Sequence, residues 1–236
     1  MMRTKGFAKV STPFKPAELA YIGAVTKEMQ ILLNAGLRSE TAFEAALVKL
    51  DAKAEKLYQF LQKVAPKALV ADDTPLSLHA EVASDAIGTN TVAKTGLAAT
   101  LVERPLYSVA LASATSLAAA DGDDAFAFAS SFTGAAGADF AYTRTSSVTG
   151  SNFQMSKEVM VALDFSFLEL AGVKLTKDVS VTADRIRAEV GEGNVATAEV
   201  DLLARGEHTA VIADVSVVTI EDFFSSSAVT ADLFIA

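Results

Sequence analysis

The chain has 236 residues, no Cys and no Trp, and is 51% apolar and 21% charged, which is the composition of a globular protein and not of a disordered one. The absence of Cys removes disulfides, thiolate metal sites and cysteine nucleophiles together. A net charge of −9 argues against nucleic acid as a partner, because phosphates select for clustered Lys and Arg.

The charge is unevenly placed. Residues 1–70 hold eleven Lys and Arg against six Asp and Glu, a balance of +5; residues 71–236 hold nine against 23, a balance of −14. The period of the apolar residues changes at the same place. Two domains are expected: a basic helical segment over residues 1–70 and an acidic β-domain over residues 75–236.

Met1 to Phe14 is basic but has no apolar core, so no secretory leader is expected there. A first helix is predicted from Pro16 to Ala35. Pro suits the first helical position, where its missing N–H needs no partner. Leu19, Ile22, Val25, Met29 and Leu32 recur at three- and four-residue steps and predict one buried face. Gly36 is expected to end this helix in a left-handed conformation. Ser39 or Thr41 can cap the second helix, with Glu44 completing a capping box after Thr41. Phe43, Leu47, Leu50, Ala54, Leu57, Leu61 and Val64 then alternate steps of four and three, the pattern of a coiled-coil seam, and Pro66 marks its end. Tyr58 and Phe60 lie off the seam and are expected to leave apolar area for a partner.

From about Ser77 the step becomes two. Val159, Val161, Leu163, Phe165 and Phe167 alternate with Met160, Ala162, Asp164 and Ser166; Val211, Ala213, Val215 and Val217 do the same, as do Val229, Ala231, Leu233 and Ile235. Such alternation predicts strands with one buried face, the habit of antiparallel sheets. Glycines at 134–137, 150, 172, 191–193 and 206 divide strands of about ten residues, long for a strand, and read as successive hairpins. The expected fold class is α+β: an N-terminal helical hairpin followed by an antiparallel β-sandwich or meander of long strands. Ala- and Ser-rich runs at 108–120 and 125–131 predict closely approaching sheets. The longest uncharged stretch, Pro105 to Ala120, contains Ser108, Ser113, Thr115 and Ser116 and is short for a bilayer, so no membrane span is expected.

Asp121-Gly122-Asp123-Asp124 is the densest carboxylate cluster. Hard oxygen ligands on a glycine turn suit calcium, so Asp121, Asp123 and Asp124 are the candidate metal ligands, against a solvated turn. Gly191-Glu192-Gly193-Asn194-Val195-Ala196 matches a variant dinucleotide fingerprint, with Asp214 downstream. The charged run Asp184 to Glu189 before it is wrong for a central parallel strand, so a turn is preferred. His79 and His208 are the only histidines. No nucleophile elbow, phosphate loop or zinc-protease motif is present, and an enzyme is not expected. The ending Asp232-Leu233-Phe234-Ile235-Ala236, one acid followed by apolar residues, resembles the extreme C-terminus of many substrates of bacterial type I (ABC-transporter) exporters. That resemblance implies secretion without an N-terminal leader; a plain final strand reads the same way.

Together these features predict a structural, self-assembling subunit of an extracellular layer, filament or virion. Its partners are copies of itself, with the basic helical face of one copy meeting the acidic β-face of the next. The alternative is a secreted calcium- or carbohydrate-binding module, and the alternative locations are virion or cytoplasm.

Overall fold

The structure is a computed structural model, and it describes residues 14–36, 39–71, 74–168, 173–183 and 187–235. The described residues fall into two compact units. Residues of 1–72 together with 166–171 form one; residues of 73–165 and 172–236 form the other. Most of the Met1 to Phe14 stretch, Gly172, residues 184–186 and Ala236 lie outside the described residues.

The first unit is built on two helices, α1 (Pro16–Gly36) and α2 (Glu40–Val64). Glu18 accepts a hydrogen bond from the Lys15 backbone N–H at 2.8 Å, satisfying a donor at the helix start. Ile22, Val25, Met29 and Leu33 are buried, whereas Leu19 is 37% exposed and Leu32 half-buried. The buried stripe therefore ends on Leu33 and not on Leu32. Thr26 also lies on this face and returns its hydroxyl to the Ile22 carbonyl at 2.9 Å. Gly36 is not left-handed as expected. It is the last helical residue, and a Cβ there would lie 3.2 Å from Phe43 Cα, so glycine serves close approach between the helices.

Ser39 caps α2 by accepting the Ala42 N–H at 3.2 Å. Thr41 lies inside the helix. Phe43, Leu47, Leu50, Ala54, Leu57 and Leu61 are all buried; Val64, the last of the series, is 41% exposed. The helix stops at Ala65, and Pro66 opens a single 3-10 turn to Ala68. Phe60 packs on Tyr21 of α1 with ring centroids 4.3 Å apart, and Tyr58 packs edge-on to Phe167 at 5.1 Å. Both aromatic rings expected to await a partner thus have one within their own unit. Lys53 pairs with Glu28 across the helices; its hydrogen bond and charge hold the Glu28 carboxyl below the ordinary carboxylate range. No helix among the described residues is long and apolar enough to cross a membrane.

The second unit holds ten strands: β1 (Ser77–Ile87), β2 (Asn90–Arg104), β3 (Tyr107–Asp121), β4 (Phe126–Ala136), β5 (Phe140–Thr149), β6 (Phe153–Asp164), β7 (Val173–Thr182), β8 (Asn194–Arg205), β9 (Thr209–Ile220) and β10 (Phe224–Ile235). They form two sheets, one ordered β4-β1-β10-β9 and one ordered β7-β5-β6-β3-β2-β8. The fold is α+β with a mostly antiparallel β-sandwich. Two edge pairs are parallel, β2 with β8 and β5 with β7. Each parallel strand follows a long connection rather than a tight turn, which frees its direction.

The glycines do not mark hairpins as expected. Only the break at Gly150 joins two paired neighbours, β5 and β6. Residues 88–89, 122–125, 137–139 and 206–208 carry the chain from one sheet to the other. The other two hairpins turn without glycine: Pro105-Leu106 between β2 and β3, and Glu221 to Phe223 between β9 and β10, where Asp222 takes φ 55°. Gly137 is one position where glycine is required. Its φ is +76°, and a Cβ would lie 2.4 Å from the Pro75 carbonyl oxygen. Gly137→Ala is expected to cost more than about 1 kcal/mol, read as a lower thermal midpoint.

The interior of the sandwich is graded. At one end Leu78, Leu97, Leu101, Met160, Val229 and Leu233 pack with alanines of β3 and β6. At the other, Ala86, Ala118, Ala120 and Ala129 form a thinner cluster. Between the sheets the small residues carry hydroxyls that bond in pairs: Thr91 with Ser225 at 2.6 Å, Thr95 with Ser227 at 2.6 Å and Ser131 with Ser156 at 2.7 Å. Glu158 extends this layer. Its buried carboxylate accepts the Thr133 N–H at 2.6 Å, the Thr133 hydroxyl at 2.8 Å and the Thr145 hydroxyl at 2.9 Å, so it ties β6 to β4 and β5. Glu158→Ala strands three donors in the interior and is expected to cost about 3 kcal/mol; Glu158→Gln keeps part of the acceptor capacity and is expected to cost about 1 kcal/mol. Urea midpoints of the two variants check this, and midpoints equal to that of the wild type would show that the carboxylate is dispensable.

Candidate functional site

The turn Asp121-Gly122-Asp123-Asp124 closes β3 and leads into β4. Gly122 takes φ +128°, a conformation that favours glycine. Asp121 is paired through its carboxylate with Arg187, and its backbone carbonyl accepts the Thr89 N–H at 2.8 Å. Asp123 and Asp124 are exposed. Among the described residues no three carboxylate or imidazole side chains gather as a metal-binding group. A calcium ion bound by Asp121 would compete with the Arg187 guanidinium for its carboxylate.

The glycines at 191–193 lead into strand β8 and not into a helix. Gly193 takes φ +91° and donates its N–H to the Asn90 side chain at 2.8 Å. Asn194 donates to the Thr91 hydroxyl at 2.8 Å and the Ile220 carbonyl at 3.0 Å, so this turn fastens β8 beside β2 and the end of β9. The two histidines are far apart in role. His208 is exposed in the connection between β8 and β9. His79 Nδ1 lies 2.7 Å from Asp232 Oδ1 on directly opposed positions of β1 and β10, beside the Phe132 ring. The C-terminal run Asp232 to Ile235 is part of β10 and pairs with β1 and β9.

The exposed surfaces carry more information than these motifs. The strands β7 and β9 each end a sheet and each hydrogen-bond to one neighbouring strand, leaving one edge without a strand partner among the described residues. Every residue of β7 is exposed, as is β9 from Val211 to Ile220. On β9, Val211, Val215 and Val217 are in register with the interior residues Leu233, Val229 and Ser227 of β10, yet they are 40–49% exposed. Ile212, Val218 and Ile220 on its other face are 44–60% exposed. On β7, Val173, Leu175, Val179 and Val181 share one face and are 40–49% exposed. The two strands also share the tetrapeptide Asp-Val-Ser-Val, at 178–181 and 214–217.

The alternation of Val211 to Val217 suggests a strand with one buried face. It does not disclose that the strand ends its sheet, and an edge position is what leaves both faces open. No known family model, curated protein or solved structure matches this chain.

Proposed function

We propose that the chain is a structural subunit that assembles with copies of itself, in an extracellular layer, filament or virion. The observation that carries the reading is the state of β7 and β9. An unpaired strand edge is a row of main-chain donors and acceptors ready for another strand. Soluble proteins usually shorten such edges, bend them or place charge on them. Here the edges are ten and twelve residues long, and although β7 carries Lys174, Lys177 and Asp178 and β9 carries Asp214, between them they hold ten large aliphatic residues in contact with solvent. Strand addition by a second copy would satisfy the main chain and cover those side chains together. The chain offers two such edges on different sheets, so the contact need not close on itself and can propagate.

The test is light scattering and negative-stain electron microscopy of the full-length chain at rising concentration and low salt. Oligomers or extended polymers are expected. A chain that stays monomeric throughout overturns the proposal.

A further inference from the structure

The β unit is strongly acidic, yet its cations are not scattered. Six of the nine Lys and Arg residues after position 70 are on the outward register of the six-stranded sheet, Arg104 and Arg205 at one end of β2 and β8 and the other four in a row across β7, β5, β6 and β2. That face is fixed by register. Ala141, Met160 and Ala112 point into the core, so their sequence neighbours on β5, β6 and β3 lie on the opposite face. On this outer face Lys177 of β7 is directly beside Arg144 of β5. Arg144 is beside Val159, and Lys157 is the next outward residue along β6. Lys157 is opposite Thr115, Thr115 is opposite Gly96, and Lys94 is the next outward residue on β2. All four cations are exposed, and none is in an ion pair among the described residues. Two shallow depressions lie along the row and share Lys157: one of about 250 Å³ between Arg144 and Val159, and one of about 330 Å³ over Gly96, Thr115 and Met155.

The four-stranded sheet is the opposite case. β1, β4, β9 and β10 contain no Lys or Arg at all. Their outer face carries Glu81 and Asp85 on β1, Asp232 on β10 and Asp214 on β9. Glu81 and Asp214 both oppose Thr230, from either side of β10, and Asp232 is the next outward residue on that strand. Three adjacent strands of this sheet thus carry outward carboxylates: Glu81 and Asp214 are level on β1 and β9, and Asp232, which also meets His79, stands one outward step along β10 between them. Three adjacent strands of the other sheet, β7, β5 and β6, carry one outward cation each: Lys177 and Arg144 are level, and Lys157 stands one outward step along the third strand. Adjacent strands lie about 4.8 Å apart, so the two rows have the same spacing.

We infer that the cationic row on the six-stranded sheet is the docking surface for the acidic outer face of the four-stranded sheet of a second copy. The inference rests on the self-assembly reading and adds a second, electrostatic contact to it. The two surfaces are different, so the contact is heterologous and stacks copies face to face, while strand addition at β7 and β9 extends them edge to edge. The polarity is set by Glu199 and Asp201, which make the β8 end of the same outer face acidic and unsuitable for the carboxylate row. This contact differs from one between the helical segment and the β-face, because both of its halves belong to the β unit.

Salt separates the two contacts. Exposed charge pairs weaken between about 0.02 M and about 0.5 M NaCl as the Debye length shrinks, whereas main-chain pairing and aliphatic burial do not. The test uses full-length Arg144→Glu/Lys157→Glu and Glu81→Lys/Asp214→Lys chains, each checked for native circular dichroism, in sedimentation velocity at both salt levels. The wild type is expected to lose at least about fivefold in mean assembly mass on going to high salt. Each variant alone is expected to have lost that salt-sensitive part, because its two faces now carry like charge. An equimolar mixture of the two is expected to regain it, because each reversed face meets a complementary one. If the wild type assembles and either variant alone keeps the salt-sensitive part, the inference fails and the self-assembly reading stands. If the folded variants do not recover on mixing, complementarity is not the cause and the inference also fails. Retention on immobilised polyuronate that is lost only in the Arg144→Glu/Lys157→Glu chain, with assembly unchanged, would reassign the row to an acidic polysaccharide. A monomeric wild type removes both readings.

Discussion

Replacing Leu50 and Leu57 together by Asp is expected to abolish the helical unit. Both side chains are fully buried on α2, at 0% exposure, two turns apart on the same stripe as Leu47, Ala54 and Leu61. Each substitution removes an aliphatic side chain, which costs about 2–5 kcal/mol as a cavity. Each also places a carboxylate where nothing in the stripe can hydrogen-bond it, at a further cost of several kcal/mol unless the group takes up a proton. The sum exceeds the whole stability of about 5–15 kcal/mol that a typical domain has only in its lower range, so two sites are used and not one. The measurement is the 222 nm ellipticity of the full-length chain. Loss of the helical share of that signal is expected, leaving the weaker negative band of the strands. Val48→Asp is the control: Val48 is on the same helix but 69% exposed, and a change within about 0.5 kcal/mol is expected. Retained helicity and an unchanged melting curve in the double variant would show that the four-and-three spacing of α2 does not hold the unit together.

That spacing was the most legible part of the chain. A helix repeats near 3.6 residues whatever it packs against, so Phe43 to Leu61 announced their shared face from sequence alone. Strand alternation was legible for the same reason, and the long strands of the sandwich follow from it. Pairing was not. Nothing local to Val195 or Val173 says that β8 and β7 run parallel to β2 and β5, because direction is set by where a long connection lands. Glycine misled as a hairpin marker: it served corners between sheets and a close helix approach at Gly36, while Pro105 and Asp222 turned two of the hairpins. The hydroxyl layer was foreshadowed by the Ala- and Ser-rich runs, but its partners are separated by as many as 134 residues, as in Thr91 and Ser225. The cationic row was hidden for a related reason. Lys94, Arg144, Lys157 and Lys177 are far apart in sequence and become a row only when five strands are placed in register. The pairing of Arg187 with Asp121 is invisible in the local sequence of the 121–124 turn, because the two residues are 66 positions apart.

Val215→Lys/Val217→Lys is expected to reduce self-association roughly thirtyfold while leaving the fold intact. Both residues are on β9, 49% and 44% exposed, on the face whose register partners on β10 point into the sandwich. Their exposure means that little native packing is lost, so unfolding midpoints should move by no more than about 0.5 kcal/mol each. In a strand-addition contact the same two side chains would be covered. Half of each valine remains to be buried, which is worth about 1 kcal/mol per residue, or about 2 kcal/mol together. That is roughly thirtyfold in an association constant, at 1.4 kcal/mol per tenfold. Lysine is also a residue that natural edge strands use to prevent pairing, since its charge must be desolvated by an incoming strand. The effect should persist at high salt, because the lost contact is aliphatic and main-chain. The matching substitution on β7, Val179→Lys/Val181→Lys, should act in the same direction if β7 and β9 are the two halves of one contact. If only the β9 variant weakens association, two β9 edges pair with each other around a two-fold axis and growth along this direction stops at a dimer. If neither does, the edges are not the contact, and assembly must come from another surface of the chain.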